Sequence, residues 1–449
     1  MNIVLVGASM IGRAVTSELL KENHDLVVIE KDLVKANRLS DNFDVLVING
    51  SGTDLEVLKE AKVDIADLFI SLTSDDQVNI LCCMLAKRLG AKSTIARVRN
   101  PENEDVLTFL KDDLALSMVV NPELDFAKAV ARVLQFPSAI SVETFSHNVE
   151  LMEFKIPEES KLNGLSLMDL NKKYSLNVLI SAILRGEEVF IPKGDFILKA
   201  EDKIHLTGEL QMVQRFVKQF GLFTQKIKKV MIVGGNTDGY YLAKNLLDLG
   251  LTVKLIEEKK DRAEELCALL PYASVINCNS ADTDMLIEEG IETVDAVVSL
   301  SGNDDTNTMI SLFAKKLGVK KIITRIDKKV IKTVMEEMGL DMVISPKDVT
   351  ANSILKYVRS KSSASQRGVI NLYKIIADKV EATEFLVLDD YEFLNKKLKT
   401  IKIRKDVIIG AIIKKGEVVI PSGDIVIEKN DKVIIVTTAK LKELGEIIA

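Results

Sequence analysis

The chain has 449 residues, of which 47% are hydrophobic and 28% are charged, a composition typical of globular domains. Its net charge is only −6 and no basic block stands out, which argues against nucleic acid as a partner. Apolar runs are broken by charge well short of the ~20 residues that span a bilayer, and the N-terminus enters a strand at once, leaving no room for a signal peptide. We therefore expect a cytosolic protein of about three or four domains.

The cysteines fit this compartment. Cys82 and Cys83 are sequence neighbours that cannot readily bridge each other, and no pair that includes Cys267 or Cys278 has metal-ligand spacing. We expect buried or bystander thiols.

The sequence is a tandem duplication. Residues 191–195 recur as residues 420–424, a shift of 229 (420−191). Three residues near the N-terminus recur after a shift of 227 (234−7, 239−12 and 257−30): Gly7, Gly12 and Glu30 correspond to Gly234, Gly239 and Glu257. A shift that drifts by so little over this distance indicates duplication of a whole unit.

Each copy opens with strands and helices in alternation, here called the A lobe. Apolar strands are predicted at residues 2–6, 26–29, 45–48, 68–72 and 94–98, and again at 230–233, 252–256, 273–276, 296–300 and 321–326. Helical stretches lie between them, the first directly after a glycine-rich turn and others near residues 53–61 and 78–89. This pattern predicts an α/β fold with a parallel, Rossmann-like sheet covered on both faces.

A smaller α+β module, here called the B lobe, follows each A lobe. Residues 135–148 and 360–367 are interpreted as linkers. The first B lobe has predicted strands at 149–156, 178–184, 189–191 and 202–206, a short helix at 166–174 and a last helix, and the second repeats this order through 380–387, 408–413, 418–420 and 432–436. The predicted order is A–B–A–B, with bounds at residues 1–134, 140–224, 228–358 and 368–449.

A glycine-rich turn joins the first strand to the first helix of each A lobe. The two turns read Gly7, Ala8, Ser9, Met10, Ile11, Gly12 and Gly234, Gly235, Asn236, Thr237, Asp238, Gly239. In the G-x-G-x-x-G pattern, which places a pyrophosphate at a helix N-terminus, the first glycine permits the turn and the third lets helix and strand pack closely. The middle glycine is replaced by Ser9, whose hydroxyl could donate to phosphate, and by Asn236, which tolerates a left-handed backbone.

An acidic residue follows each turn at the same distance. Glu30 and Glu257 lie 18 residues beyond the last glycine (30−12 and 257−239), near the ~20 expected for a carboxylate that accepts the ribose hydroxyls of NAD. A 2′-phosphate would be repelled there, so NAD or adenosine is favoured over NADP. Asp238 would repel a phosphate unless its side chain turns away, so we expect the first lobe to bind dinucleotide more tightly. A duplicated lobe could also keep the turn and lose the ligand.

Further polar residues follow the later strands. Arg97 and Arg325 close the last predicted strand of each A lobe, where a guanidinium could point into the crevice and bind phosphate; a surface salt bridge is the alternative. After the fourth strand come small residues that would let a ribose or nicotinamide approach, or would only form a turn: Thr73, Ser74, Ser301 and Gly302.

No catalytic group accompanies these motifs. Hydride transfer needs a proton donor or acceptor near the nicotinamide. Of the three histidines, His24 lies in a turn, His147 in a linker and His205 in a strand where the repeat has Ile434. We expect a nucleotide sensor and not an enzyme. The alternatives are an NAD-dependent oxidoreductase that uses the B lobes as substrate domains, and a scaffold that has lost its nucleotides.

Together these features resemble the RCK (regulator of potassium conductance, or KTN) family. The resemblance is carried by the two glycine turns, Glu30, residues 49–53 and 95–99, and the Ile-Pro-x-Gly-Asp pattern of the B lobes, and it covers essentially the whole chain. The family usually has a glycine where Ser9 and Asn236 stand.

The resemblance implies a regulatory subunit at the cytoplasmic face of the membrane. Such a subunit forms a dimer or a tetrameric ring beneath an integral membrane potassium transporter of the Trk/Ktr type and gates it according to the nucleotide it holds, NAD(H) or an adenine nucleotide such as ATP or ADP. The resemblance adds Ser51 to the first site and Asn279 to the second. The linkers between lobes would be the hinges, and the B lobes would bind a second effector or form dimer contacts.

Overall fold

The structure, a computed structural model, describes residues 1–99, 116–145, 149–174, 177–222, 226–280, 282–338, 340, 342–363, 368–376, 379–388, 391–441 and 443–449. The chain forms two compact units. Unit 1 comprises Met1–Leu134 and Ile227–Leu355, and unit 2 comprises Gln135–Lys226 and Lys356–Ala449. Unit 1 therefore combines the two A lobes, and unit 2 combines the two B lobes.

The first sequence copy supplies one lobe to each unit. Its A lobe contains β1 (Asn2–Val6), α1 (Met10–Lys21), β2 (Asp25–Glu30), α2 (Leu33–Asn42), β3 (Leu46–Asn49), α3 (Leu55–Glu60), β4 (Leu68–Ser71), α4 (Asp76–Leu89), β5 (Ser93–Arg97), β6 (Met118–Val120) and α5 (Pro122–Gln135). Its B lobe contains β7 (Ser141–Thr144), β8 (Val149–Lys155), α6 (Leu167–Tyr174), β9 (Val178–Arg185), β10 (Glu188–Phe190), β11 (Lys203–Glu209) and α7 (Leu210–Gln219).

The second copy repeats this arrangement. Its A lobe contains β12 (Lys229–Val233), α8 (Thr237–Asp248), β13 (Thr252–Glu257), α9 (Lys260–Leu269), β14 (Ser274–Asn277), α10 (Thr283–Glu288), β15 (Ala296–Ser299), α11 (Asp304–Lys316), β16 (Lys321–Arg325), α12 (Lys329–Glu337), β17 (Val343–Ile344) and α13 (Pro346–Ser363). Its B lobe contains β18 (Val369–Ile375), β19 (Val380–Leu386), β20 (Val407–Lys414), β21 (Glu417–Val419) and β22 (Lys432–Thr437).

Each A lobe is built on a parallel sheet of six strands. The strand orders are β3-β2-β1-β4-β5-β6 and β14-β13-β12-β15-β16-β17. The order reverses between β1 and β4, and between β12 and β15, so the chain leaves these neighbouring strands in opposite directions. Ligands of open α/β sheets bind in the crevice at this switch point, beyond the carboxyl ends of the strands.

The predicted parallel-sheet lobes are confirmed, and each has one more strand than predicted. The five predicted strands of each A lobe are present within one or two residues of the expected bounds. The sixth strands, β6 and β17, were missed because each contains only two or three residues. Such a short apolar run has no periodicity to distinguish it from a loop.

Helix α5 ties the two A lobes together. Its apolar face, including Phe126 and Val130, belongs to one buried cluster with Val230 and Ile232 of β12 and with Leu242 of α8. Hence the last helix of the first A lobe completes the core of the second A lobe. A helix of the first copy is thus part of the core of the second lobe, so the two lobes are not independent domains.

Unit 2 contains two antiparallel five-stranded sheets of equivalent order, β10-β9-β11-β8-β7 and β18-β19-β22-β20-β21. Residues of both sheets, including Leu151 and Ala182 of the first B lobe and Ala382, Ile434 and Val436 of the second, form one buried cluster. The B lobes are thus joined by a common apolar core.

Several details of the linkers and B lobes differ from the sequence interpretation. Ser141–Thr144, placed in a linker, is an edge strand that pairs with β8, and α13 continues to Ser363 through the start of the second predicted linker, of which residues 364–367 lie outside the described residues. In the second B lobe, 3₁₀ turns at Leu398–Thr400 and Leu444–Ile447 stand where the first copy has its two helices.

Among the described residues, no helix combines the length and hydropathy needed to cross a membrane.

The packing of α5 predicts a loss of stability when its Phe126 side chain is shortened. Phe126→Ala removes a fully buried aromatic ring and should lower the free energy of unfolding of unit 1 by about 3–5 kcal/mol, measured by chemical denaturation. Lys128→Ala, at an exposed position of the same helix, is the control and should change the value by less than about 0.5 kcal/mol. Equal, small effects of both substitutions would contradict the packing described.

Candidate functional site

The crevice of each A lobe begins with a close contact between helix and strand. Gly7 and Gly234 have φ angles of +102° and +120°, which L side chains rarely adopt. A Cβ on Gly12 would lie 2.0 Å from the carbonyl oxygen of Gly7, and one on Gly239 would lie 2.1 Å from that of Gly234. The first and last glycines therefore have the roles that the motif predicts.

The residues at the missing middle glycine cap the helices. Ser9 Oγ accepts a hydrogen bond from the Gly12 N–H at 3.3 Å, and Asn236 Oδ1 accepts one from the Gly239 N–H at 3.0 Å. Both residues have extended backbones, so the left-handed conformation considered for Asn236 is not used. Side-chain oxygens at this position satisfy helix N–H groups that have no intrahelical acceptor.

The acid at the end of the second strand is held by the protein's own backbone. Glu30 accepts hydrogen bonds from the N–H of Ala8 at 2.5 Å and of Asp32 at 2.8 Å. Glu257 accepts them from Gly235 at 2.7 Å and from Lys259 at 2.8 Å. Each carboxylate thus fastens the glycine turn to the loop after the second strand, and each oxygen keeps lone-pair capacity for another donor.

A cavity opens at each switch point. The first, of about 740 Å³, is lined by residues that include Gly7, Ser9, Glu30, Ser51, Thr73 and Ser74. The second, of about 600 Å³, is lined by residues that include Gly234, Gly235, Asn236, Thr237, Glu257, Ser301 and Gly302. Of the 22 predicted site residues, 13 therefore line a cavity, six in the first and seven in the second. Their contacts with a nucleotide stay predictions.

Some predicted residues lie outside the cavity linings. In the first lobe these are Ala8, Met10, Ile11, Gly12 and Arg97, and in the second they are Asp238, Gly239, Asn279 and Arg325. Ser280 lines the second cavity next to Asn279. The glycines and loop residues still shape the turn through their backbone.

Neither arginine lines its cavity, and each guanidinium pairs with carboxylates. The guanidinium of Arg97, a residue that is 8% exposed, pairs with Glu123 of α5 at 3.3 Å. The guanidinium of Arg325 pairs with Asp238 and, at 3.4 Å, with Asp327. Sequence could not show the pairs with Glu123 and Asp238, because these carboxylates come from other elements of unit 1. A direct role of either arginine in binding stays a prediction.

Asp238 likewise does not line the second cavity. It is 3% exposed and pairs with Arg325. Burial raises the pKa of Asp238 to about 6; the Arg325 guanidinium opposes this shift, whereas the charges of Glu123 and Asp327 add to it. The anticipated repulsion of a bound phosphate is thereby reduced.

Two buried asparagines were missed by the sequence reasoning. Asn79 Oδ1 accepts hydrogen bonds from the N–H and hydroxyl of Thr73 at 2.8 and 2.7 Å, and its Nδ2 donates to the Arg97 carbonyl at 2.9 Å. Asn307 makes the same contacts with Ser301 and the Arg325 carbonyl. The signal was available: both asparagines interrupt the buried face of a helix, and they are related by the repeat shift of 228 (307−79).

The side chains considered for acid–base, nucleophilic or metal chemistry are buried or do not cluster. Burial lowers the pKa of His205 to about 4, so its imidazole is neutral at pH 7. Burial raises the pKa of the Cys82 thiol to about 11, which makes it a poor nucleophile. Within the described part of the chain, no group of three or more His, Cys, Asp or Glu side chains could hold a metal ion. His147 lies outside the described residues.

This duplicated arrangement matches known families along most of the chain. The TrkA-N domain family matches residues 3–122 and 230–346, and the TrkA-C domain family matches residues 151–221 and 382–449. The Trk system potassium uptake protein TrkA homolog of Archaeoglobus fulgidus is 34% identical over 448 residues, which cover 100% of this chain and 99% of that protein. The chain therefore belongs to the family of Trk system potassium uptake proteins TrkA.

Two solved structures share the fold. The GsuK channel bound to NAD has a TM-score of 0.64 at 18% sequence identity, with coverage of 98% of this chain and 77% of that chain. The GsuK bound to ADP has a TM-score of 0.52 at 16% identity, with coverage of 80% and 69%. Family membership confirms the expected resemblance and the two-copy architecture, and the relatives that match along the whole chain are potassium uptake proteins and not enzymes.

Gly12→Ala tests the contact that forms the crevice. Alanine gains about 1 kcal/mol of helix propensity over glycine, but its Cβ would clash with the Gly7 carbonyl, so we expect a net loss of stability of about 1–3 kcal/mol. Gly302→Ala is the matched control, since its Cβ would meet no atom within 4 Å. Thermal and chemical denaturation measure both variants. A Gly12→Ala protein as stable as the control would contradict the geometry.

The raised pKa of Asp238 predicts a pH dependence of stability. The folded protein binds a proton near pH 6 that the unfolded chain, in which this aspartate has its ordinary pKa of 3.8, does not bind. This contribution is fully present below pH 3.8 and is lost as the pH rises through about 6. On going from pH 7.5 to 5, wild type should therefore gain roughly 1 kcal/mol relative to Asp238→Asn. Parallel pH profiles of the two proteins would exclude the shift.

Proposed function

We propose that each A-lobe crevice binds an adenine-containing nucleotide, NAD(H) foremost with ATP or ADP as competitors, and that the chain is the cytoplasmic regulatory subunit of a membrane potassium transporter. The observation that carries the proposal is the duplicated cavity, closed on one side by a helix N-terminus and on another by a fixed carboxylate. Family membership supplies the link to potassium uptake.

The helix N-terminus is the phosphate side of the site. Ser9 accepts a hydrogen bond from the N–H of Gly12 at its side-chain oxygen and one from the N–H of Arg13 at its carbonyl oxygen. The first-turn N–H groups of Met10 and Ile11 have no acceptor within the helix. Together with the helix dipole they attract an anion such as a pyrophosphate. In the second lobe, Thr237 and Asp238 hold the equivalent positions.

The fixed carboxylate is the ribose side of the site. Glu30 already accepts two backbone N–H groups, and its remaining lone pairs can accept the ribose hydroxyls of an adenosine moiety. A 2′-phosphate meets repulsion from this carboxylate, although Lys31 and Lys35 also line the cavity and offset part of that charge. NADH therefore binds more tightly than NADPH, and these lysines reduce the difference between the two affinities.

Regulation follows from differential affinity. A nucleotide shifts the arrangement of the lobes only by as much as it prefers one arrangement over another. The subunit assembles with further copies of itself at the cytoplasmic face of the membrane, and the arrangement of its lobes is transmitted to the integral membrane transporter of the Trk/Ktr type. The GsuK channel, which shares the fold, has been solved with NAD and with ADP, and both nucleotides are the first ligands to test on this chain.

The two crevices should differ in affinity for NADH. Ser74 and Gly302 are equivalent residues that line the two cavities (302−74 is 228). Ser74→Trp should fill the first cavity and abolish the tighter of two NADH sites in calorimetric titrations, whereas Gly302→Trp should abolish the weaker site. The full chain is required, because α5 of the first copy is part of the core of the second A lobe.

Ser74→Ala and Gly302→Ala are the controls and should retain both sites. Retention of the tighter site in Ser74→Trp would reverse the assignment of the two crevices. Failure of wild type to bind NADH, ATP or ADP would refute the proposed function.

A further inference from the structure

A run of polar contacts leads from the first crevice to the interface between the A lobes. Thr73 lines the first cavity and is held by Asn79, which also binds the Arg97 carbonyl. The Arg97 guanidinium in turn pairs with Glu123, the second residue of α5. Since α5 packs into the core of the second lobe, this run connects the loop after β4, at the first crevice, to the other lobe.

The second lobe contributes the same contacts from its own side. Ser301 lines the second cavity and is held by Asn307, whose Nδ2 donates to the Arg325 carbonyl at 3.0 Å. The Arg325 guanidinium pairs with Asp238, the second residue of α8. Helix α8 is the one whose N-terminus faces the second crevice.

The two runs come together where α5 packs against α8, since Asn121, the residue before α5, donates from its side-chain amide to the hydroxyl of Tyr241 of α8 at 3.1 Å. Near this junction the charges of Glu123 and Asp327 raise the pKa of Asp238, whereas the Arg325 guanidinium lowers it. Glu123 Oε2 and Asp238 Oδ1 are both buried and have no hydrogen-bond partner in the described part of the chain. Repulsion between buried charges is poorly screened and varies with distance. Small displacements of α5 or α8 therefore change the energy of repulsion between Glu123 and Asp238.

We propose that this polar chain couples the two crevices, so that a nucleotide bound in one changes the nucleotide affinity of the other. The polar chain consists of Thr73, Asn79, Arg97, Glu123, Asp238, Arg325, Asn307 and Ser301. The inference rests on the proposed function, since it requires a nucleotide in each crevice. Each asparagine bonds both to a cavity-lining residue and to an arginine carbonyl, so a ligand that moves the cavity loop also moves the arginine and its carboxylate.

Duplication has left the coupling asymmetric. The first-lobe counterpart of Asp238 is Ile11 (238−11 is 227), and the counterpart of Glu123 at the start of α13 is Lys347, the residue after the proline. The first lobe thus has no carboxylate equivalent to Asp238 in its glycine turn. Of the two junctions that the duplication could have produced, only the one between α5 and α8 therefore has an acidic residue at both of these positions.

The test compares NADH titrations of the full chain in four forms: wild type, Ser74→Trp, Gly302→Trp, and the protein with both substitutions. Independent crevices give a wild-type isotherm equal to the sum of the two single-site isotherms. Coupling of ordinary strength changes the second affinity by about fivefold or more. We expect the wild-type isotherm to depart from the sum of the two single-site isotherms, and the doubly substituted protein to bind no NADH. The change in affinity should be the same whichever crevice is filled first.

Asp238→Asn and Glu123→Gln each remove one charge of the central contact and should reduce the departure to less than about twofold. Asp248→Asn is the matched control in the same helix α8 and should retain it. In wild type the departure should also change between pH 7.5 and 5.5, as Asp238 takes up a proton, and it should be independent of pH in Asp238→Asn.

Each outcome decides the inference. Additive isotherms in wild type overturn the coupling and leave the proposed function intact. A departure that persists in both Asp238→Asn and Glu123→Gln overturns the role of the polar chain. Absence of NADH binding in wild type overturns the proposed function and the coupling together.

Discussion

The contact between the last glycine of each turn and the carbonyl of the first is the constraint on which the rest of unit 1 depends. With no side chain at Gly12 or Gly239, the first helix of each lobe lies directly against the end of the first strand. Its N–H groups then face the point where the strand order reverses, and a capping side chain, Ser9 or Asn236, holds the turn in place. A bulkier residue would displace the helix and with it one wall of the cavity.

Duplication has preserved the crevices and changed their surroundings. Both keep a carboxylate fixed by backbone N–H groups and a buried asparagine behind the loop of the fourth strand. The interface between the lobes has diverged, since Asp238 replaces the apolar Ile11 of the first copy. Because α5 belongs to the core of the second lobe, the crevices are two parts of one compact unit, and divergence at the interface affects both.

The sequence predicted the strands and the glycine geometry because these depend on local properties. Apolar runs, the repeat shift and the glycine spacing each act within a few residues of chain. It did not predict where polar side chains point, because that depends on partners from other elements. Arg97 was expected in the crevice and pairs with Glu123, Asp238 pairs with Arg325, and Glu30 accepts hydrogen bonds from the backbone of its own lobe. Asn79 and Asn307 could have been found, had polar residues repeated within apolar helix faces been compared between the copies.

The central claim is that the paired crevices hold adenine-containing nucleotides. Native mass spectrometry of the purified full chain, before and after incubation with NADH, ATP and ADP, tests this most directly. The account predicts discrete mass additions of up to two such nucleotides per chain, with identities confirmed after denaturation and extraction. A chain that carries none as purified and gains none at saturating concentrations would contradict the account.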